Sequence, residues 1–147
     1  MSDEGKQGQP YEMIVEAGKV REFARAAKSR NPAYFVPAES HPVSPVTFLA
    51  SSAFWSTPES SPSRGGPPPN WERILHGEQE FVFPNGPPHA GDVLTATTRI
   101  GKEYEKEGKR GGTMKFSELI TEFRDRDGNL VAESKSTAIE TGKATTE

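Results

Sequence analysis

The second half of the chain alternates apolar and polar residues with the two-residue period of β-strands. After residue 70, for example, Leu75, Phe81 and Phe83 fall on one face of the pattern, and glutamates fall on the other. Glycine-containing turns interrupt the alternation, so successive strands are expected to pair as antiparallel hairpins. The pattern predicts strands at Tyr11–Val15, Trp71–Phe83, Val93–Tyr104, Met114–Arg124 and Asn129–Ile139.

A helix is predicted between the first two strands. Its apolar residues recur at the three- and four-residue spacing of one helix face, and charged residues occupy the opposite face. These apolar positions are Val20, Phe23, Ala24 and Ala27. The helix ends before Pro32, because the residue preceding a proline is driven out of the helical conformation.

An uncharged stretch, residues 44–56, is predicted to be a second helix around which the domain is organised. Ser44 can cap it with its hydroxyl, and Pro45 suits the first helical position. Apolar side chains occur nearly all round, which is typical of a buried helix. Small residues such as Ala50 and Ala53 would let a sheet approach closely.

Polar segments separate or flank these elements. Residues 58–70 are rich in proline, glycine and serine and are predicted to form an exposed, mobile loop. Residues 1–9 and 141–147 are predicted to be flexible tails. A single domain spanning residues 10–140 remains between them.

The predicted order is strand, helix, buried helix and then four consecutive antiparallel strands. This order needs no parallel crossover connection. We therefore predict an α+β domain in which an antiparallel sheet wraps around a central helix, the hotdog fold. Such a domain has a sheet edge and a sheet face to cover, so we also expect a dimer.

Composition excludes several functional classes. The net charge of −3 and the even mixing of basic and acidic residues give no field for nucleic acid. The chain has no cysteine, and its three histidines are scattered, so neither thiolate chemistry nor a metal site is predicted. His41 and His89 fall in proline-rich loops and are interpreted as surface residues. No apolar run at the N-terminus suggests a signal or a membrane span, and we expect a cytoplasmic protein without a cofactor.

Five short motifs occur in the order found in a known family. They are Val20-Arg21-Glu22-Phe23-Ala24, Asn31-Pro32-Ala33-Tyr34-Phe35, Pro45-Val46-Thr47-Phe48-Leu49, His76-Gly77-Glu78-Gln79-Glu80-Phe81 and Ala90-Gly91-Asp92. Together they make the chain resemble the MaoC-like dehydratases, or (R)-specific enoyl hydratases. The resemblance is greatest to a divergent subgroup: the N-terminal half of double-hotdog dehydratases and the A- or C-type subunits of mycobacterial 3-hydroxyacyl-ACP dehydratases.

The resemblance implies a catalytic motif that this chain has lost. In the hydratases the segment after the first helix resembles Gly-Asp-x-Asn-Pro-x-His, whose Asp and His hold the water that adds to an enoyl thioester. Asn31 matches this pattern, but Ser29 stands at the Asp position and Tyr34 at the His position. Neither serine nor tyrosine normally titrates near neutrality. Ser29, Asn31 and Tyr34 are therefore interpreted as vestigial positions.

Other residues carry a functional and a structural interpretation side by side. His76 is a weak candidate base, or else a histidine of the sheet or an interface. The two-residue strand period predicts that Gln79 lies on the opposite face of the strand from His76. Lys109 and Arg110 could meet the phosphate of CoA or a carrier protein, or else are solvated turn charges. Candidate substrate-binding residues are Val46, Thr47 and Phe48 at the start of the central helix, and Phe54 and Trp55, which could line an acyl tunnel or fill the core.

Three functions remain open at this point. The first is a subunit of an (R)-specific enoyl-thioester hydratase or dehydratase that binds an acyl-CoA or acyl-ACP and acts with a catalytic MaoC-like hotdog partner, in a heterodimer or as a homodimer. The second is an acyl-thioesterase, for which a carboxylate is needed. The candidate carboxylates are Glu78, Glu80 and Glu118. The third is a non-enzymatic acyl-binding or assembly module.

Overall fold

The structure, a computed structural model, describes residues 2–109 and 112–142. It contains five strands and one α-helix. The elements are β1 (Tyr11–Ile14), α1 (Ala17–Ala26), β2 (Ile74–Val82), β3 (Val93–Glu107), β4 (Thr113–Arg124) and β5 (Leu130–Glu140). Short 3-10 helices lie at Pro32–Tyr34, Ala38–Ser40, Phe48–Phe54, Pro58–Ser60 and Trp71–Arg73.

All five strands form one antiparallel sheet in the order β1-β3-β4-β5-β2. The five predicted strands and the first helix are thereby confirmed, with boundaries that differ by a few residues. β2 begins only at Ile74, because Asn70 accepts a hydrogen bond from the Glu72 amide and starts a 3-10 turn there. Residues 143–147 of the predicted C-terminal tail lie outside the described residues.

The N-terminal segment pairs with the sheet, although we expected it to fray. The Gly5 amide donates to the Ile100 carbonyl over 2.8 Å, and the Gly8 amide donates to the Thr98 carbonyl over 2.9 Å. Gln7 forms a bridge with Arg99. The backbone groups of β3 that β1 does not reach provide these partners. A sequence pattern of period two does not reveal such pairing.

One face of the sheet, which we call the inner face, packs against α1 and the central 3-10 helix, Phe48–Phe54. Ala96, Phe123 and Ala132 are neighbours across three strands and are fully buried. Phe23 of α1 meets Phe48 edge-on, with ring centroids 5.6 Å apart. The resulting core consists of Met13, Val15, Val20, Phe48, Leu49, Leu94, Ala96, Phe123 and Ala132.

The predicted central α-helix is wrong in type and in burial. The segment is a seven-residue 3-10 helix, in which only Phe48 and Leu49 are buried, and Phe54 is 89% exposed. The hydroxyl of Ser51 donates to the Phe48 carbonyl over 2.7 Å, and such local bonds compete with α-helical hydrogen bonding. Ala50 and Ala53, which we expected against the sheet, are exposed.

The loop of residues 58–70, the proline-rich loop, is anchored over the inner face, although it was predicted to be mobile. Arg64 forms an ion pair with Glu103 of β3 and donates to the Ser117 hydroxyl of β4. The Gly65 amide donates to the Asp3 carboxylate over 3.0 Å. Pro62 and Ser60 are buried. Within the described residues, no helix has the length and apolar character that a membrane span requires.

Candidate functional site

The segment that contains Ser29, Asn31 and Tyr34 forms the turn after α1. Lys28, where the family pattern has glycine, adopts a left-handed conformation with φ of 55°. The Ser29 hydroxyl accepts a hydrogen bond from the Asn31 amide, and the Asn31 side chain accepts one from the Ala33 amide. Asn31 thus caps the short helix Pro32–Tyr34. The asparagine keeps its structural role, while Ser29 is used locally as a turn residue.

Tyr34 packs against the hydrophobic core and is half-buried. Its ring therefore contributes to packing. Neither Tyr34 nor Ser29 has a carboxylate or an imidazole among its hydrogen-bond partners in the described residues. General acid–base catalysis needs a donor and an acceptor with suitable pKa values within reach of one substrate. The chain does not present such a pair at this motif.

The start of the central segment differs from the predicted capped helix. Thr47, not Ser44, is the N-terminal cap, and its side chain makes no capping hydrogen bond. The Ser44 hydroxyl is buried without a hydrogen-bond partner among the described residues, while its amide donates to the Pro88 carbonyl. Val46 is 58% exposed, whereas Phe48 belongs to the core. Of these predicted substrate contacts, only Val46 and Thr47 are accessible.

Phe54 and Trp55 lie beside a groove between α1 and the central 3-10 helix. This groove encloses about 440 Å³ and is also lined by Phe23, Ala26 and Ser51. Trp55 packs partly against the core, while Phe54 projects into solvent. The two aromatic residues therefore differ: Trp55 contributes to packing, and Phe54 offers an accessible apolar surface.

His76 lies on the exposed edge strand β2, opposite Ala138 of β5. The register of β2 shifts between His76 and Glu78, so Gly77 forms a bulge. A side chain at Gly77 would collide with Ile139. Because of the bulge, Gln79 shares the inner face with His76, and the predicted opposite placement is wrong. The His76 side chain has no hydrogen-bond partner in the described part of the chain, so no neighbouring group orients it to act as a base.

The three carboxylates considered for thioester hydrolysis lie on the outer face of the sheet. Glu78 faces Thr137, and Glu80 faces Lys135, to which it makes an ion pair at 3.7 Å. Glu118 accepts a hydrogen bond from the Lys102 amide. The central 3-10 helix packs on the inner face, so within this chain the three carboxylates and the start of that helix lie on opposite faces of the sheet.

A cavity of about 660 Å³ lies between the proline-rich loop and the inner face. It was not predicted from the sequence. Arg64, Glu103 and Ser117 form a hydrogen-bonded network in its wall: the Arg64 guanidinium contacts both, and the Ser117 hydroxyl donates to Glu103 over 3.2 Å. The surrounding wall is mostly apolar. It includes Pro62, Pro69, Trp71, Ile74, Leu119 and Ala138. The only signal in the sequence was Arg64, which is the one charged residue among residues 60–70.

The Asp3 carboxylate lies outside the cavity and accepts a hydrogen bond from the Gly65 amide of the proline-rich loop. It is half-buried, and its hydrogen bond with the Lys6 ammonium, together with the Gly65 amide, holds its pKa below the ordinary aspartate value. The charged form of Asp3 therefore helps to fix the proline-rich loop.

The remaining candidates do not join this site. Lys109 lies in the turn between β3 and β4, and Arg110 lies outside the described residues. His41 contacts the Ala90 carbonyl through Nδ1 at 2.9 Å, and His89 is exposed. Among the described residues, no three His, Asp or Glu side chains are grouped closely enough to hold a metal ion.

Comparison with known proteins gives the family. The family described as "FAS1-like, dehydratase domain region" matches residues 2–134. The chain belongs to this family. A UPF0336 protein of Streptomyces coelicolor is 37% identical over 99 residues, a match that spans 62% of this chain and 62% of the relative. The matches to the first three curated relatives span less than two thirds of their length.

Solved structures show the same fold. A chain of the truncated HadBC complex, a 3R-hydroxyacyl-ACP dehydratase from Mycobacterium tuberculosis, has a TM-score of 0.65 and 24% identity, covering 95% of this chain and 98% of that chain. A MaoC-like dehydratase from Phytophthora capsici has a TM-score of 0.73 and 20% identity, covering 99% of this chain and 50% of that chain. The predicted α+β hotdog class is confirmed.

Proposed function

We propose that this protein is a subunit of an (R)-specific enoyl-thioester hydratase or 3-hydroxyacyl-thioester dehydratase, and that a partner hotdog supplies the Asp and His. The observation that carries the proposal is the turn after α1. Asn31 keeps its cap, while Ser29 and Tyr34 replace the acid and base and take up structural contacts. A hotdog fold without its catalytic pair fits a subunit that binds the acyl group and stabilises the complex with its catalytic partner.

The exposed edge strand β2 supports the proposal that a second subunit binds this chain. It is the last strand of the sheet, and among the described residues only β5 pairs with it. Leu75 and Val82 on this strand are 44% and 47% exposed. A long, partly apolar edge is a ready template for another strand. The partner, either a catalytic MaoC-like chain or a second copy, would join there, and size-exclusion chromatography with light scattering measures which one does.

The proposal extends to the substrate. The solved relative HadBC is a complex and a 3R-hydroxyacyl-ACP dehydratase, which supports an acyl-ACP or acyl-CoA thioester as the ligand of this chain. Phe54, Val46 and the cavity beneath the proline-rich loop provide accessible apolar surface for the acyl group. No cofactor enters this hydration chemistry, and the cytoplasmic location stays a prediction.

The decisive experiment is reconstitution. The purified chain is assayed for hydration of crotonyl-CoA and for thioester hydrolysis, alone and after co-expression with a MaoC-like chain that retains Asp and His. We expect no turnover alone and hydration in the complex, at a rate above that of the partner alone. Hydration by this chain alone would contradict the proposal and direct attention to His76. Thioester hydrolysis would replace it with the thioesterase alternative.

A further inference from the structure

We propose that the cavity beneath the proline-rich loop binds the distal part of an acyl group, and that its Arg64 network selects a neutral acyl group carrying a hydroxyl or carbonyl oxygen. The identification of the ligand as an acyl group rests on the proposed function. The selection for oxygen rests on the cavity itself.

The size and lining of the cavity fit a small-molecule site. Ligand sites typically enclose about 300–1,000 Å³, with mostly apolar walls and a few placed polar groups. This cavity encloses about 660 Å³. Its roof includes prolines at positions 62, 67 and 69, each of which restricts the backbone of the loop locally. Leu119 and Ala138 on the inner face of the sheet form its floor.

The polar wall has hydrogen-bond donors to spare. An arginine side chain has five N–H donors. Among the described residues, the Arg64 guanidinium uses one donor on Glu103 and one on Ser117. The Arg64 side chain is 31% exposed, so its other donors can hydrogen-bond to water. An apolar ligand that fills the cavity removes this water, and an unsatisfied donor then weakens binding. A ligand oxygen at the same place restores the hydrogen bond.

The charge of the wall decides which oxygen is preferred. Three carboxylates line the cavity, at Glu103, Glu105 and Glu140, against two cations, Arg64 and Lys115. The positive charge of Arg64 is already matched by Glu103. An additional carboxylate on the ligand would meet excess negative charge, whereas a hydroxyl or carbonyl would not. A chain with a neutral oxygen is therefore favoured over both a plain chain and a chain that ends in a carboxylate.

Three esters of equal chain length test the selection: methyl decanoate, its terminal-hydroxy analogue, and the monomethyl ester of decanedioic acid. Calorimetry on the full chain is expected to give about tenfold tighter binding of the hydroxy ester than of methyl decanoate. The carboxylate ester is expected to bind most weakly. If none of the three binds, the site is wrong. If all bind equally, or the carboxylate binds most tightly, the selection is wrong.

Variants locate the binding. Arg64→Met is expected to remove the tenfold preference, because the hydroxy ester loses more affinity than methyl decanoate does. Arg126→Met, in the turn between β4 and β5, is the matched control and is expected to change neither. Equal weakening of all three esters by Arg64→Met would show that Arg64 only holds the loop, and would overturn the selection. Ala138→Leu and Ala138→Phe fill the cavity and are expected to weaken all three esters in order of size.

Tryptophan fluorescence independently measures where the ester binds. Trp71 lines the cavity and Trp55 lies in the other groove, and the chain has only these two tryptophans. In Trp55→Phe the hydroxy ester is expected to change the remaining emission, and in Trp71→Phe it is not. The opposite result would place the ligand at the second groove and refute the cavity as its site. Ester selection without hydratase activity in the reconstituted complex would refute the proposed function alone, while activity without selection would refute this inference alone.

Discussion

The inner face of the sheet has two halves that are covered in different ways. At one end, which we call the packed half, α1 and the central 3-10 helix cover Met13, Leu94 and Phe123, all fully buried. At the other, the roofed half, the proline-rich loop spans a cavity, and the row across the sheet reads His76, Ala138, Ser117 and Glu103. The same sheet thus provides stability at one end and an accessible, partly polar surface at the other.

The two halves differ in whether they leave space for a ligand. Apolar side chains that interdigitate exclude both water and ligand, and their removal is costly. A loop held by one ion pair and a few hydrogen bonds can cover a space without filling it. Stability is therefore expected to come from the packed half, and binding from the roofed half. The following predictions test this division.

The largest effect is expected from truncating the same residue type in each half. Leu94→Ala, in the packed half, should lower the free energy of unfolding by about 2–5 kcal/mol through lost burial and a new cavity. Leu119→Ala, in the roofed half, should lower it by about 1 kcal/mol, because Leu119 already adjoins open space. Urea denaturation followed by circular dichroism measures both. Equal losses would mean that the two halves are packed alike.

A smaller effect is expected from releasing the roof. Arg64→Ala should lower the free energy of unfolding by no more than about 1 kcal/mol, because its ion pair with Glu103 is partly exposed. The same change should expose the proline-rich loop to cleavage by a non-specific protease, without exposing β4 or β5. Arg126→Ala serves as the control for lost charge. A large loss of global stability would show that the loop belongs to the folding core.

Acid should loosen the roof before it unfolds the packed half. The pKa of Asp3 is lowered in the fold, chiefly by its hydrogen bond with Lys6 and then by the Gly65 amide. The contribution of Asp3 is therefore complete above its ordinary pKa of 3.8 and is lost as the pH falls through the lower folded value. NMR should show the Gly65 amide resonance shifting in that acidic range while the core resonances stay constant. In Asp3→Asn the shift should be absent.

The smallest effect is expected at the central 3-10 helix. Ala53→Leu should change the free energy of unfolding by no more than about 0.5 kcal/mol, because Ala53 is exposed. Ala132→Leu, at a buried alanine of the packed half, should cost about 1–3 kcal/mol through overpacking. Thermal melts of both variants measure the difference. A costly Ala53→Leu in the purified protein would indicate that a second subunit covers this surface.

The replacement of Asp and His could be predicted from the resemblance, because it depends only on residue identity at Ser29 and Tyr34, and it stays a prediction. The cavity could not, because Arg64 is far in sequence from Glu103 and Ser117, and no local pattern relates them. The placement of Gln79 failed for a similar reason: a bulge at Gly77 inverts the alternation that the prediction assumed.

Elements whose signal is local could be predicted from the residue pattern alone. The two-residue period specified the strands, and the 3.6-residue period specified α1, since each depends on which residues fall on one side of a regular backbone. What covers each part of the sheet depends on the tertiary structure. It placed the proline-rich loop over the roofed half, joined residues 5–8 to β3 and left the residues after Leu49 exposed. These outcomes depend on contacts between distant segments, whose energies a local pattern does not contain.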